Sequence, residues 1–250
     1  MTRLALFLYL LSLTIRADDA VALTLRGRPQ SLIRLQPSAG DPRATVIFLP
    51  GDGGWRGAAV SIARTMIPWG YDVYGFDTKK YLEGFSENGS KLSQRQMAED
   101  MRLLAQYVRG GSPRPVIFVG WSQGAGMAVA AVAGSQAQTS IKGVVTLGLP
   151  ESAVLGWDWK ATLSIIARRE PDQPTFAVKP LLREIASTPL WMIHGSNDEY
   201  TSLDAERALY QSVGEPKKLD EIAGANHKFD GHLDELNRSL KAGLQWIVGK

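Results

Sequence analysis

Pro115-Val116-Ile117-Phe118-Val119 leads into Gly120-Trp121-Ser122-Gln123-Gly124, and Ala125-Gly126-Met127-Ala128-Val129-Ala130-Ala131-Val132-Ala133 follows. An apolar run, then G-x-S-x-G, then a helix-compatible run is the pattern of a nucleophile elbow. A sharp turn there holds a serine in a strained backbone conformation with its hydroxyl exposed. Glycine on either side lets strand and helix approach closely, because a Cβ at either position would collide. The first N–H groups of the helix then point toward any oxyanion that develops nearby. The bare pattern is weak in a chain where 25 of 250 residues are glycine. Its strand and helix context gives it weight.

Outward from the elbow, apolar runs alternate with helical patterns. Residues 21–25 and 31–35 alternate in polarity and read as an antiparallel edge pair broken at Gly27-Arg28-Pro29. Ala44–Leu49 reads as a buried strand, residues 58–67 as a helix and Tyr71–Phe76 as the next strand. Residues 92–108 form a long amphipathic pattern with Met97, Met101, Leu104 and Val108 on one face. Further strands are expected at Ile141–Leu147, 189–193 and Lys217–Ile222, and a closing helix at Leu233–Val248 carries Leu236, Leu240, Leu244 and Ile247 in register.

This alternation predicts an α/β fold, a mostly parallel central sheet with helices on both faces. Together with the elbow it points to the α/β-hydrolase fold, whose active site lies at the carboxyl ends of the strands. Residues 151–188 break the alternation with Trp157, Trp159 and three prolines. They read as an insertion at the site mouth, either a lid or substrate wall or a structural excursion without a catalytic role.

Hydrophobic content of 44% and charged content of 21% are those of a folded protein. The length suits one α/β domain over residues 18–250. Residues 1–17 have the layout of a secretory signal peptide: Met1-Thr2-Arg3, an apolar stretch from Leu4 to Ile15, then Arg16-Ala17. Cleavage after Ala17 or after Ala20 fits, and the expected location is periplasmic or secreted. Removing residues 1–17 takes away Arg3 and Arg16 and no acid, leaving 26 basic against 25 acidic side chains. A net of +1 does not suggest a nucleic-acid partner. With no cysteine in the chain, thiol nucleophiles, disulfides and thiolate metal sites are excluded.

A serine nucleophile needs a base to take its proton and an acid to orient that base, in the chain order Ser, Asp or Glu, His. Of the three histidines, His227 lies in the loop Ala223-Gly224-Ala225-Asn226-His227, after the last strand and before the closing helix. That is the place from which a base reaches the serine. His194 ends a strand and reads as a packed residue. His232 reads as a surface or capping residue, and its five-residue spacing from His227 does not align the two for a metal. The acid should follow the strand at 189–193. Asp198 is the leading choice there, with Glu199 behind it and an Asx turn as its structural alternative. The oxyanion hole should combine the N–H of Gln123 with one from Pro50-Gly51-Asp52-Gly53-Gly54-Trp55, at Asp52 first and Gly53 next. A carboxylate aimed at an oxyanion would oppose catalysis, so Asp52 should face away or meet a cation. No metal or other cofactor is needed.

Leu49-Pro50-Gly51-Asp52-Gly53-Gly54-Trp55, Asp77-Thr78-Lys79-Lys80-Tyr81, the 93–103 helix with Gln94 and Gln96, the 120–126 elbow and Leu147-Gly148-Leu149-Pro150-Glu151-Ser152-Ala153 resemble the bacterial virulence protein family of VirJ and AcvB. The resemblance runs from about residue 44 to the C-terminus. It implies an exported α/β-hydrolase, with nucleophile, acid and base at Ser122, Asp198 and His227. It also implies hydrolysis of aminoacyl-phosphatidylglycerol at a membrane surface and an association with secretion-system proteins. On that reading Asp52, Glu199 or Asp230 would meet the substrate ammonium, and Lys79, Lys80 or Lys228 its phosphate. Trp55 and Trp121 would line the cleft. The alternatives are a general carboxylesterase or dienelactone-hydrolase-like enzyme, and a non-catalytic secretion-system accessory built on the same scaffold.

Overall fold

The computed structural model describes residues 18–35, 40–86, 92–134, 141–158, 173–185 and 187–250. The proposed signal segment 1–17 and residues 159–172 of the 151–188 region, Trp159 among them, lie outside these residues. The described chain runs β1 (Asp19–Leu25), β2 (Arg28–Leu35), β3 (Ala44–Leu49), α1 (Ala58–Thr65), β4 (Tyr71–Phe76), α2 (Thr78–Ser86), α3 (Gln94–Arg109), β5 (Val116–Trp121) and α4 (Gln123–Val132). It continues with β6 (Ile141–Leu147), β7 (Ser152–Val154), β8 (Thr175–Ala177), α5 (Val178–Arg183), β9 (Leu190–Gly195), α6 (Leu203–Gln211), β10 (Lys217–Ile222) and α7 (Leu233–Val248).

Eight strands form one sheet in the order β1-β2-β4-β3-β5-β6-β9-β10. The β1/β2 and β2/β4 pairs are antiparallel and the remaining pairs are parallel. The central strands are mostly apolar because both faces are covered. Alternate residues divide between two cores, as the two-residue period of a strand requires. Ile47 and Leu49 of β3 and Val116 and Phe118 of β5 pack with α3 and α4. Val46 and Phe48, with Ile117 and Val119, pack with α1 and α7. This is the expected mostly parallel α/β architecture.

The edge pair is tighter than the sequence suggested. Gly27-Arg28-Pro29 was the expected break, but Arg28 and Pro29 belong to β2 and the turn is Arg26-Gly27. Both turn residues have positive φ, 49° and 76°, the geometry of a two-residue hairpin whose twist matches its strands. The Arg26 guanidinium at the tip binds Glu99 at 2.7 Å and Asp100 at 3.0 Å, tying the hairpin to α3. Helix α3 starts in a capping box: Ser93 Oγ accepts from the Gln96 N–H and the Gln96 side chain accepts from the Ser93 N–H. The 151–188 region supplies the small antiparallel pair β7/β8 and α5. Gln123 Nε2 donates to the Val154 carbonyl and Gln123 Oε1 accepts from the Val154 N–H, both at 2.9 Å. The start of the insertion is thereby fastened to the start of α4.

Candidate active site

Ser122 stands between β5 and α4 with φ 53° and ψ −120°. A non-glycine residue there carries a strain of about 1–3 kcal/mol, which the surrounding packing must hold. Both elbow glycines have the close contacts expected of them. A Cβ on Gly124 would sit 2.0 Å from the Leu49 carbonyl oxygen, and one on Gly120 would sit 2.4 Å from the Gly124 oxygen. The Ser122 N–H donates to the Leu147 carbonyl at 2.9 Å, pinning the turn to β6.

The loop after β3 reaches the same point. A Cβ on Gly51 would lie 3.0 Å from Ser122 Cβ and 3.6 Å from its Oγ, so only a bare backbone passes the hydroxyl this closely. The loop turns by a Gly54 N–H to Gly51 carbonyl bond of 3.0 Å. It is anchored by the buried Thr78 hydroxyl on the Pro50 carbonyl at 2.7 Å. Helix α4 opens at Gln123, so the N–H of Gln123 is one of the donors that a helix cannot satisfy internally.

Asp198 and His227 meet as the chain order requires. His227 Nδ1 lies 2.7 Å from Asp198 Oδ2. Asp198 Oδ1 also accepts from the N–H groups of Tyr200 at 2.8 Å and Thr201 at 3.0 Å. The Asx turn and the histidine contact therefore share one side chain, with one oxygen given to each. Burial alone would push the Asp198 carboxyl up, but the His227 bond and these two donors outweigh it and hold it below the usual carboxylate range. Gly148, with φ 55°, passes beside this pair, and its Cβ would lie 3.0 Å from His227 Nδ1.

Three further contacts hold His227. Trp121 Nε1 donates to the His227 carbonyl at 3.2 Å. Glu199 Oε2 accepts the His227 N–H at 3.1 Å. The half-exposed Tyr200 ring stands edge-on to the His227 ring with centroids 4.8 Å apart. Trp121 and Glu199, proposed from sequence as substrate contacts, are thus engaged in holding the histidine loop.

The other proposed contacts divide. Burial pushes the Asp52 carboxyl up to about 6, and the nearby charges of His227 and Lys79 limit the rise. Asp52 thus lies within electrostatic range of His227 and Lys79. Lys79 Nζ also lies 6.0 Å from the centre of the buried Trp157 ring, whereas Lys80 is exposed. Trp55 is a packing residue: its ring stacks where a Gly75 side chain would be, with a Gly75 Cβ only 2.1 Å away, and meets Phe48 edge-on at 6.2 Å. Asp230 accepts from the Asn226 side chain at 3.0 Å. Gly53 is exposed at the tip of the loop.

Solved structures similar to this chain include DcsB in complex with its substrate analogue, at a TM-score of 0.71 and 14% identity over 94% of this chain and 100% of that one. Est1E from Butyrivibrio proteoclasticus follows at 0.69 and 17%, covering 92% and 99%. A dienelactone hydrolase from Anabaena variabilis gives 0.65 and 15%, covering 92% and 97%. These likenesses establish the α/β-hydrolase fold. A segment of 108 residues is 28% identical to the non-reducing polyketide synthase Preu3 of Preussia isomera, covering 40% of this chain but only 4% of that protein. The family model described as bacterial virulence protein (VirJ) matches residues 43–246, more than half of the chain, and the protein belongs to that family.

Proposed function

We propose that this chain is an exported serine hydrolase that cleaves an ester bond through an acyl-enzyme, with Ser122 as nucleophile, His227 as base and Asp198 as acid. The observation that carries this reading is the positive-φ Ser122 beside the side-chain-free Gly51, with the Asp198–His227 bond of 2.7 Å at the ends of neighbouring strands. Ser122 Oγ attacks the ester carbonyl while His227 takes its proton. Asp198 stabilises the imidazolium and holds its ring. N–H groups of Gln123 and Asp52 receive the oxyanion, with Gly53 the alternative on the loop. His227 then protonates the departing alcohol, and water, activated by the same imidazole, releases the acid. Each oxyanion donor is worth about 10²–10³-fold in rate. No cofactor takes part.

The substrate favoured by this reading is an aminoacyl ester of phosphatidylglycerol at a membrane surface, the class implied by the family. Its ammonium lies next to the scissile carbonyl, and Asp52 is an acid within electrostatic reach of His227. Lys79 supplies a cation on the same side for the phosphate. Export would follow from residues 1–17, and secretion-system proteins are the proposed protein partners.

The test incubates residues 18–250 and the Ser122→Ala variant with lysyl- and alanyl-phosphatidylglycerol and with p-nitrophenyl acetate. Amino-acid release by the parent and none by the variant is expected. Serine-dependent turnover of the acetate alone would favour a general carboxylesterase, a reading supported by the esterases and dienelactone hydrolase among the structural neighbours. No turnover of any ester would favour a non-catalytic accessory.

A further inference from the structure

Beside Asp198 lie two fully buried ionisable groups that the proposed reaction does not use. His194 ends β9 and Glu206 projects from α6, and both side chains are 0% exposed. His194 Nε2 lies 3.0 Å from the Thr201 carbonyl oxygen. A carbonyl can only accept, so Nε2 carries the hydrogen. In the neutral ring Nδ1 then has a bare lone pair. Nδ1 faces Glu206 Oε2 at 3.8 Å and Asp198 Oδ2 at 4.0 Å. Among the described residues, His194 Nδ1 and both Glu206 oxygens are buried without a hydrogen-bond partner. Three orphan atoms in one place would cost several kcal/mol if nothing joined them. A gap of 3.8 Å is too narrow for a bridging water but closes with about 1 Å of side-chain movement.

The charges decide which group fills the gap. Burial and the adjacent Asp198 charge push the Glu206 carboxyl well above its ordinary value. Burial pushes the His194 imidazole down, against the opposing pull of Asp198. Glu221 on β10 and His227 act on His194 from further away, in opposite directions. Two ionised carboxylates around one buried ring would repel each other, whereas one ionised and one protonated would not. Asp198 has three donors to stabilise its charge, and Glu206 has none among the described residues.

We propose that Glu206, in its protonated form, and His194 are a buried positioning pair for the proposed catalytic acid: Glu206 O–H donates to His194 Nδ1, and His194 Nε2–H holds the Thr201 carbonyl. Thr201 joins the pair to the acid, because its own N–H donates to Asp198 Oδ1. The turn 198–201 is therefore gripped from both ends. The pair rests on the reading of Asp198 as the acid, but its hydrogen bonds are independent of any activity.

The first test is long-range ¹⁵N NMR of the three histidines in the unmodified protein between about pH 5.5 and 8. One ring, assigned through a His194→Gln variant, is expected to stay neutral with hydrogen on Nε2 throughout. An imidazolium at His194 near pH 7, or hydrogen on Nδ1, overturns the pair. The second test follows ester hydrolysis in Glu206→Gln and Glu206→Leu. Glutamine donates to Nδ1 as a protonated glutamate does, so kcat and the acid limb of the kcat/KM profile should match the parent. Leucine cannot donate, and kcat should fall about five- to tenfold with KM unchanged. Full kcat in the leucine variant, or an acid limb displaced in the glutamine variant, overturns the proposal. A parent inactive on every ester would instead count against the hydrolase reading, while the NMR still decides the hydrogen bonds.

Discussion

The indole N–H of Trp121 donates to the backbone carbonyl of His227 at 3.2 Å, so the residue preceding Ser122 holds the loop that carries His227. The proposed nucleophile and base come from points 105 residues apart in sequence, yet one hydrogen bond couples their loops. Trp121→Phe keeps the ring and removes the donor. A neutral hydrogen bond is worth about 1 kcal/mol, so kcat should drop roughly fivefold with KM nearly constant. Steady-state kinetics on p-nitrophenyl acetate check this; an unchanged kcat would mean the bond does not position the base.

Gly51 shows how little room the proposed oxyanion loop has. Its Cβ would sit 3.0 Å from Ser122 Cβ, so Gly51→Ala must push the loop away from the hydroxyl. Displacing one oxyanion donor should cost about 100-fold or more in kcat. Thermal unfolding should shift by only a few degrees, because the loop lies at the surface end of the sheet. Parent-like activity would argue against this loop as the donor.

The raised Asp52 value gives a pH signature. Below about 6 the carboxyl is protonated and neutral, and above it is ionised and able to attract an ammonium. The ratio of kcat/KM for lysyl-phosphatidylglycerol to that for p-nitrophenyl acetate should therefore rise about fivefold between roughly pH 5 and 7. Taking the ratio cancels the pH dependence of the hydrolytic steps that both substrates share. In Asp52→Asn the ratio should be flat and low. A ratio that rises equally in the variant would remove Asp52 from substrate recognition.

Asp100 is the structural counterpart of these site carboxylates. It is fully buried on α3 and accepts from Tyr81 Oη at 2.7 Å and Arg26 Nε at 3.0 Å. Asp100→Ala leaves the Tyr81 hydroxyl buried without its acceptor and removes one of the ties between the β1/β2 tip and α3. The expected loss is about 2–3 kcal/mol in unfolding free energy, with catalysis in the folded fraction unchanged. Denaturant unfolding read beside kcat separates the two.

The elbow was legible because its constraints are local: two close backbone approaches demand Gly120 and Gly124, and the apolar runs on either side fix strand and helix. The amphipathic period places the start of α3 at residue 92, and the Ser93–Gln96 capping box sets it at Gln94. Helix α2 was missed although its buried Thr78, Tyr81, Leu82 and Phe85 stand at helical spacing, since Gly84 and two lysines mask the pattern. Helix α6 was missed because one of its two buried residues is Glu206, a glutamate where the period calls for an apolar side chain. That exception is the group beside Asp198. The Gln123 clamp on Val154 joins residues 31 apart and leaves no local trace. The packing of Trp55 on Gly75 and Phe48 and the Glu199 bond to the His227 N–H left no trace for a related reason: residue type near a cleft says nothing about which neighbour has already claimed the side chain.

The central claim is that Ser122 is an activated nucleophile, and covalent trapping tests it most directly. The protein is treated with a fluorophosphonate and digested for mass spectrometry. The account predicts one adduct, on the peptide carrying Ser122, absent in Ser122→Ala and formed far more slowly in Asp198→Ala. An unlabelled Ser122, or ester turnover that survives in Ser122→Ala, would contradict it.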